Sequence, residues 1–452
     1  MKKNKNIKIN ILFIIISFII GVTFSILFPL YQVPDELTHI DMIYEERNLN
    51  YNFLDVNDEY TGTENIIKKS DNRVQTSKYF DFNKKIDLDF EFKLPKLTII
   101  RHFPQWIGMM LGEFFKVPVF VYITICELMA LMFYIYVCNK AISIMPIKKE
   151  LFMFIMLLPV CCQQMSSFSY DVVLNSFSFL FIAYMFNLKF NEEKINIKNI
   201  LLTLIILLVI GICKIPYITL GLLYLLLVDY KKLLKKLKEI KKVWIILGIT
   251  GLIIFTLICL NFVININFVK ILLASLSNPI DTFLILCRTM INFIFGYAES
   301  IVGNLGWFDV KISRLFVVFV YTILLILTFI NFKKQEDKSK YKFSKKDKII
   351  IFITILILIY VIVLSMFSWT LHINKVPNYN NLSISKYANY LKKTNYIVGV
   401  QGRYFIPIIP LILIPIQYKK NIKNFNLNII IILYYLIFYI YYFIVLLNRY
   451  WI

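Results

Sequence analysis

Charge, histidine and extended polar sequence are all scarce in this chain of 452 residues. Only 17% of residues are charged and 59% are hydrophobic, whereas soluble domains carry about a quarter charged residues and roughly half apolar ones. A soluble enzyme of this size could not hide so much apolar surface, so the excess faces lipid. That excludes a cytoplasmic enzyme, a disordered chain and a secreted disulfide scaffold. Nucleotide signatures are missing too: there is no Walker A pattern and no G-x-G-x-x-G after a strand, so ATP-driven transport by this chain alone is not expected. The cysteines (Cys126, Cys138, Cys161, Cys162, Cys213, Cys259 and Cys287) lie in or beside apolar runs. They show no C-x-x-C or Cys/His metal spacing and read as buried free thiols.

What is present is a series of apolar runs near the spanning length of about 20 residues. Eleven spans are expected, near 9–30, 118–139, 150–164, 171–188, 199–212, 215–229, 243–265, 313–332, 348–368, 404–418 and 427–449. The first run is too long for a signal-peptide core and lacks a small-residue cleavage site, so it reads as a retained helix. The net charge of +22 is concentrated in Lys clusters that fall in every second loop. Examples are Lys2 to Lys8, Lys231 to Lys242 and Lys333 to Lys348. That alternation marks loops held at an anionic cytoplasmic surface rather than a nucleic-acid interface. It places the N-terminus inside and the C-terminus outside. Two further apolar segments, 98–116 and 279–298, carry breakers or charges (Arg101, Pro104, Asp281, Arg288) and would break the alternation if they spanned. Both are expected as interfacial or re-entrant helices on the outer side. The expected fold is therefore all-α and polytopic, a single membrane domain over 1–452 with a first external loop at 31–100.

On this topology the unusual polar motifs gather on the outer face, and all three His (His39, His102 and His372) fall there. Pro34, Asp35 and Glu36 follow the first span. Pro34 suits the first helical position, which puts both acids in the first turn at the positive end of the helix dipole. Asp35 and His39, four apart, share one face of that helix. Acids are also ordinary in a first turn, so this pattern alone does not make a site. Asp171 likewise opens a span after Tyr170, close to Gln163 and Gln164. Arg101, His102 and Gln105 lie in the 98–116 segment, and Lys214 with Pro216 forms a tight outer turn. Asn304, Trp307 and Asp309 precede the eighth span; Gln401, Arg403 and Tyr404 open the tenth. An Arg at that mouth could grip a phosphate in a bidentate fork, or snorkel to headgroups; the flanking Gly402 favours close backbone approach. Glu127, inside the second span, reads as a helix–helix contact or a functional acid, with Lys214 or Arg288 as candidate partners.

Taken together these motifs resemble a bacterial polytopic membrane family catalogued as a domain of unknown function. The run Ile397 to Pro407 with its Gln401-Gly402-Arg403-Tyr404 core carries the resemblance, as do Pro34-Asp35-Glu36 with His39. So do Pro104, Gln105 and Gly108; Leu158 and Pro159 through Gln163, Ser166, Tyr170, Asp171 and Asn175; Lys214, Pro216 and Tyr217; and the stretch Gly303 to Asp309. In architecture that family is similar to the GT-C glycosyltransferases, which place a catalytic acid just after the first helix and use polyprenyl-phosphate sugars. The resemblance implies a membrane glycosyltransferase of the bacterial plasma membrane. It would move a sugar from a polyprenyl-phosphate donor to a cell-envelope glycan on the outer face.

Chemistry on that face agrees. An external site has no access to nucleotide sugars, so an activated donor must arrive in the bilayer on a lipid carrier. The implied roles are Asp35 or Glu36 as base, with Asp35 preferred, and Arg403 with Arg101 on the phosphate. His39 and Asp171 would position the acceptor, or a divalent metal if one is used, and His102, Gln105, Gln164, Tyr170, Lys214, Asn304, Trp307, Asp309, Gln401 and Tyr404 would line the substrate site. The competing readings are a polysaccharide polymerase or ligase, a lipid-linked glycan transporter or flippase, and a non-enzymatic scaffold. The sequence shows few mid-membrane polar residues and no clear inverted repeat, features a transporter is expected to have.

Overall fold

The computed structural model describes residues 9–48, 73–83, 94–227, 267–302, 304–329, 341–416 and 427–452. Among them every regular element is helical, apart from an isolated bridge between Leu305 and Val310. In chain order the α-helices of five residues or more are α1 (Ile9–Leu27), α2 (Glu36–Glu46), α3 (Phe103–Phe114), α4 (Val119–Ile144), α5 (Lys149–Met156) and α6 (Pro159–Met165). They continue with α7 (Asp171–Phe190), α8 (Ile197–Cys213), α9 (Asn267–Ser277), α10 (Pro279–Val302), α11 (Arg314–Phe329) and α12 (Lys345–Ser365). The last are α13 (Phe367–Ile373), α14 (Ile384–Lys393), α15 (Ile409–Leu413) and α16 (Leu427–Tyr450).

Among the described residues, six stretches are long and apolar enough to cross a bilayer: α1, α4, α7, α10, Lys345–Ile373 and Ile429–Tyr450. Shorter apolar helices of 10–17 residues lie at Ile197–Cys213, Ile215–Leu226, Asn267–Ser277, Arg314–Phe329 and Gly402–Leu413. Several expected spans therefore take a different form. The run 150–164 is split into α5 and α6, because Leu158 is extended (ψ 150°) ahead of Pro159, as a proline requires of the residue before it. Every residue from 151 to 165 is buried, the setting in which irregular backbone is tolerated at membrane depth. The run 404–418 is likewise interrupted: Gly402–Ile408 is a 3-10 segment before α15, and Pro407 and Pro410 each remove an amide donor. The segment 279–298 belongs to the continuous 24-residue α10. The segment 98–116 is a 3-10 turn (Leu97–His102) leading into the 12-residue α3, shorter than a bilayer crossing. The expected span 243–265 and the Lys cluster 231–242 lie outside the described residues.

The chain divides into two compact units: Met1–Ile218 with Ala298–Ser344 and Phe405–Ile452, and Thr219–Tyr297 with Lys345–Tyr404. In the first unit α4 is the central element, packed against α1, α3 and α7, while α7 also packs on α8. The α3–α4 approach is set by Gly108, where an added Cβ would meet the Cα of Cys126 at 2.5 Å. A buried ion pair ties α2 to α3. Arg47 donates two bonds to Glu113 (2.6 and 2.7 Å), Tyr122 of α4 donates to the same carboxylate at 3.1 Å, and Tyr122 bonds to Tyr44 at 2.9 Å. The bidentate geometry and the extra phenol offset the cost of burying both charges. In the second unit α9 packs on α12 and α14, with Tyr387 and Leu391 buried and Ser275 bonded to the Tyr360 hydroxyl at 2.7 Å.

Gly108→Ala should force α3 off α4 at a backbone contact and cost roughly 1–3 kcal/mol. Thermal unfolding of the detergent-solubilised protein should show a lower midpoint; an unchanged midpoint would mean the two helices are not in close contact there.

Candidate functional site

The chain leaving α1 is held by three aromatic side chains. The last carbonyls of a helix have no partner within it, and here the Trp451 indole donates to Leu27 O at 2.9 Å. Trp307 donates to Tyr31 O at 2.7 Å, and the Tyr79 hydroxyl accepts from Leu30 N at 3.3 Å. Residues 27–31 are thereby fixed, and with them the start of α2. The expected helix start moves by two residues: α2 begins at Glu36, with Asp35 as its N-cap residue in the left-handed region at φ 65°. Asp tolerates that conformation better than most residues. Glu36 is buried, and its side chain turns back to accept from Tyr31 N at 2.8 Å. Asp35 is half-buried. The two adjacent acids thus do different work: Glu36 stabilises the turn, and Asp35 keeps access to the surroundings.

Burial outweighs the backbone donors around Glu36 (Phe168, Val33 and Tyr31) and pushes its carboxyl up to about 7 from an ordinary 4.5. Between those values the folded state holds the proton and the unfolded state releases it, so stability falls as pH rises through that window.

From α2 a hydrogen-bonded chain runs through the interior. His39 and Glu46, seven residues apart, face the same way. His39 Nδ1 lies 3.1 Å from His102 Nε2, and His102 Nδ1 lies 3.0 Å from Glu46 Oε2. Arg101 donates from Nε to Glu46 Oε1 at 2.5 Å. At the other end His39 Nε2 is 3.4 Å from Ser169 Oγ, which accepts from Asp171 N at 3.1 Å. Tyr170 meets the His39 ring edge-on at 4.6 Å. Gln105 fastens the same turn by donating to Ser167 O (2.9 Å) and Ser169 O (3.2 Å). His39, Glu46, His102, Gln105 and Ser169 are all buried. Burial works against the Glu46 charge, but the His102 hydrogen bond and nearby positive charge, Arg101 included, hold its carboxyl below the ordinary value. Burial lowers His102 despite Glu46, which favours the neutral ring near neutral pH.

Of the residues singled out in the sequence, Asp35, Glu36, His39, Arg101, His102, Gln105, Tyr170 and Asp171 are joined through these contacts or lie beside them in the chain. Arg101 is engaged with Glu46. Gln164 is buried nearby in sequence, with neither its amide oxygen nor its nitrogen hydrogen-bonded. Lys214 is the half-buried C-cap residue of α8, which packs on the 97–102 turn. Asn304 precedes the Leu305–Val310 bridge. Asp309 accepts from Arg449 at 2.7 Å, and Trp307 uses its N–H on Tyr31 O. Gln401, Arg403 and Tyr404 belong to the second unit, where the Arg403 guanidinium lies 5.4 Å from the Tyr404 ring centre. Glu127 is buried in α4, with Oε2 unbonded and no ion pair to a described residue. Sequence reading passed over Glu46, Ser169, Arg47 and Glu113. The spacing from His39 to Glu46 is two helical turns and was the available signal for one of them; nothing local marked Ser169. Among the described residues no group of three or more His, Cys, Asp or Glu is placed to hold a metal ion.

A family model described as "Predicted membrane protein (DUF2142)" matches residues 18–412. The chain belongs to this family. No curated protein and no solved structure matches it. Membership agrees with the apolar helices in making this an integral membrane protein, and the matched region includes the whole chain of bonds from Arg101 to Asp171.

Glu36→Gln removes the titrating group while keeping an acceptor for Tyr31 N–H. Wild-type stability should fall by up to about 3 kcal/mol between about pH 5 and about pH 8, since each tenfold difference in proton affinity between the folded and unfolded states is worth about 1.4 kcal/mol. The variant should lose most of that slope. Unfolding measured at both pH values checks this; equal slopes would show that Glu36 titrates normally.

Proposed function

We propose that the protein is a membrane glycosyltransferase that moves a sugar from a polyprenyl-phosphate donor to a cell-envelope glycan on the outer face of the bacterial plasma membrane. It would have an eleven-span, GT-C-like topology. The observation that carries this is Asp35. It stands half-exposed, in a left-handed backbone conformation, immediately beyond the first span. Backbone of that kind persists where the surroundings over-determine it and clusters at functional sites. The neighbouring Glu36 is buried in the turn, so Asp35 is the more accessible acid of the pair.

In this reading the Asp35 carboxylate takes the proton from an acceptor hydroxyl. The freed oxygen attacks the anomeric carbon, and the bond from that carbon to the phosphate oxygen breaks. The electron pair leaves with the polyprenyl phosphate, and a single displacement inverts the anomeric centre. Arg403 is assigned to phosphate on the strength of its Gln-Gly-Arg-Tyr motif. Tyr170 and Asp171 are the acceptor-side residues, held by the turn that His39 and Gln105 bind. A flippase would leave Asp35 without this chemical duty.

The test is sugar transfer by purified variants given a polyprenyl-phosphate sugar. Asp35→Asn keeps the shape and removes the base, so transfer should fall roughly 10²–10⁴-fold, while Glu36→Gln should cost much less. Full activity in both variants would remove the acid–base mechanism and favour transport.

Arg403→Lys keeps the charge and loses the planar fork. A phosphate role predicts roughly 10- to 100-fold slower transfer, about 1.4 kcal/mol per decade, with normal accumulation in the membrane. Near-normal turnover would assign Arg403 to headgroup contact.

A further inference from the structure

The interior chain from Arg101 to Asp171 has a direction, and that direction originates at one end. Glu46 is an ionised carboxylate held by Arg101, so it only accepts. His102 must therefore give it the proton on Nδ1, which leaves the neutral ring's lone pair on Nε2. His39 must in turn donate from Nδ1 into that lone pair at 3.1 Å. If His39 is the same neutral ring as His102, its lone pair lies on Nε2, 3.4 Å from Ser169 Oγ, and the serine hydroxyl donates to it. The serine oxygen is left as an acceptor for Asp171 N–H. The charge on Glu46 thus assigns the donors as far as His39 Nδ1, and a neutral His39 carries the same order on to Ser169. Both rings are driven into the Nδ1–H tautomer, the less favoured form of neutral histidine in water.

We propose that Glu46 and His102 are positioning residues which, through the tautomer they impose on His39, hold the Ser169–Asp171 turn and so present Tyr170 and Asp171 to a hydroxyl-bearing acceptor. The acceptor's identity rests on the transferase reading; the tautomer assignment does not. Three features support it. All four linked side chains are buried, so water does not compete for the bonds. Gln105 clamps the same turn from the carbonyl side at Ser167 and Ser169. Tyr170 rests edge-on against His39, at an interplanar angle of 89°, so reorientation of that ring would move it.

The chain holds only three histidines, so nitrogen-15 labelling of histidine in nanodiscs, with the exposed His372 replaced in His372→Gln, isolates the two rings of interest. Both should show a protonated Nδ1 and an unprotonated Nε2. Ser169→Ala should leave both tautomers in place, because the direction is set from the other end. Glu46→Gln should scramble both, His39 included, although it lies two bonds away. With a polyprenyl-phosphate sugar as donor, Glu46→Gln should also raise the acceptor KM roughly 10- to 100-fold through misplacement, with the donor KM unchanged. Nε2–H rings in the wild type, or tautomers unmoved by Glu46→Gln, would overturn the assignment; the wild-type spectrum decides it even if a variant fails to fold. A protein that shows these tautomers but transfers no sugar would retain the positioning chain and lose the transferase reading.

Discussion

Burying the Glu46 charge is the constraint on which the arrangement of the first unit's loop depends. A carboxylate at 3% exposure is costly unless it is paired and fully hydrogen-bonded. Arg101 and His102 both come from the turn ahead of α3 and meet it with three donor contacts. Satisfying that charge fixes α2 against the 97–102 turn, and the same turn delivers Gln105 one helical turn later to the Ser167–Ser169 carbonyls. The second buried pair, Arg47 with Glu113, is adjacent in sequence on one side and fixes the other end of α3. Two ion pairs therefore join the first loop to α3 around a shared apolar cluster that includes Leu30, Ile40, Ile43, Ile99, Met109, Ile123 and Phe168.

How much of this was legible in the sequence depends on the range of the interaction. The lipid-facing character, the helical class and the special status of Pro34 to His39, Arg101 to Gln105 and Tyr170-Asp171 rest on composition and short motifs. These are local signals, and they named most of the residues the structure links. The helix start at Asp35 was misplaced because Pro34 is a good first helical residue, whereas the observed turn is set by Glu36 reaching Tyr31 N–H and by Trp307 on Tyr31 O, a contact across 276 positions. Ser169 carries no local mark at all; it matters only because His39 is brought to it across 130 positions. Spans broken by proline, at Pro159 and at Pro407 and Pro410, read as continuous apolar runs because hydropathy does not register a missing amide donor.

The two adjacent acids after the first span have opposite settings, one buried and one half-buried. Glu36 has the longer side chain, which lets it curl back over its own turn, whereas Asp35 caps the helix from a left-handed backbone without a side-chain capping bond. Burial that raises Glu36 makes it a poor store of negative charge near neutral pH. A base is most useful when its neighbour is neutral, since two ionised carboxylates one residue apart would each raise the other. The folding role of Glu36 and the proposed chemical role of Asp35 are in this sense one arrangement: the buried member is taken up by the turn, and the half-buried member stands at its edge.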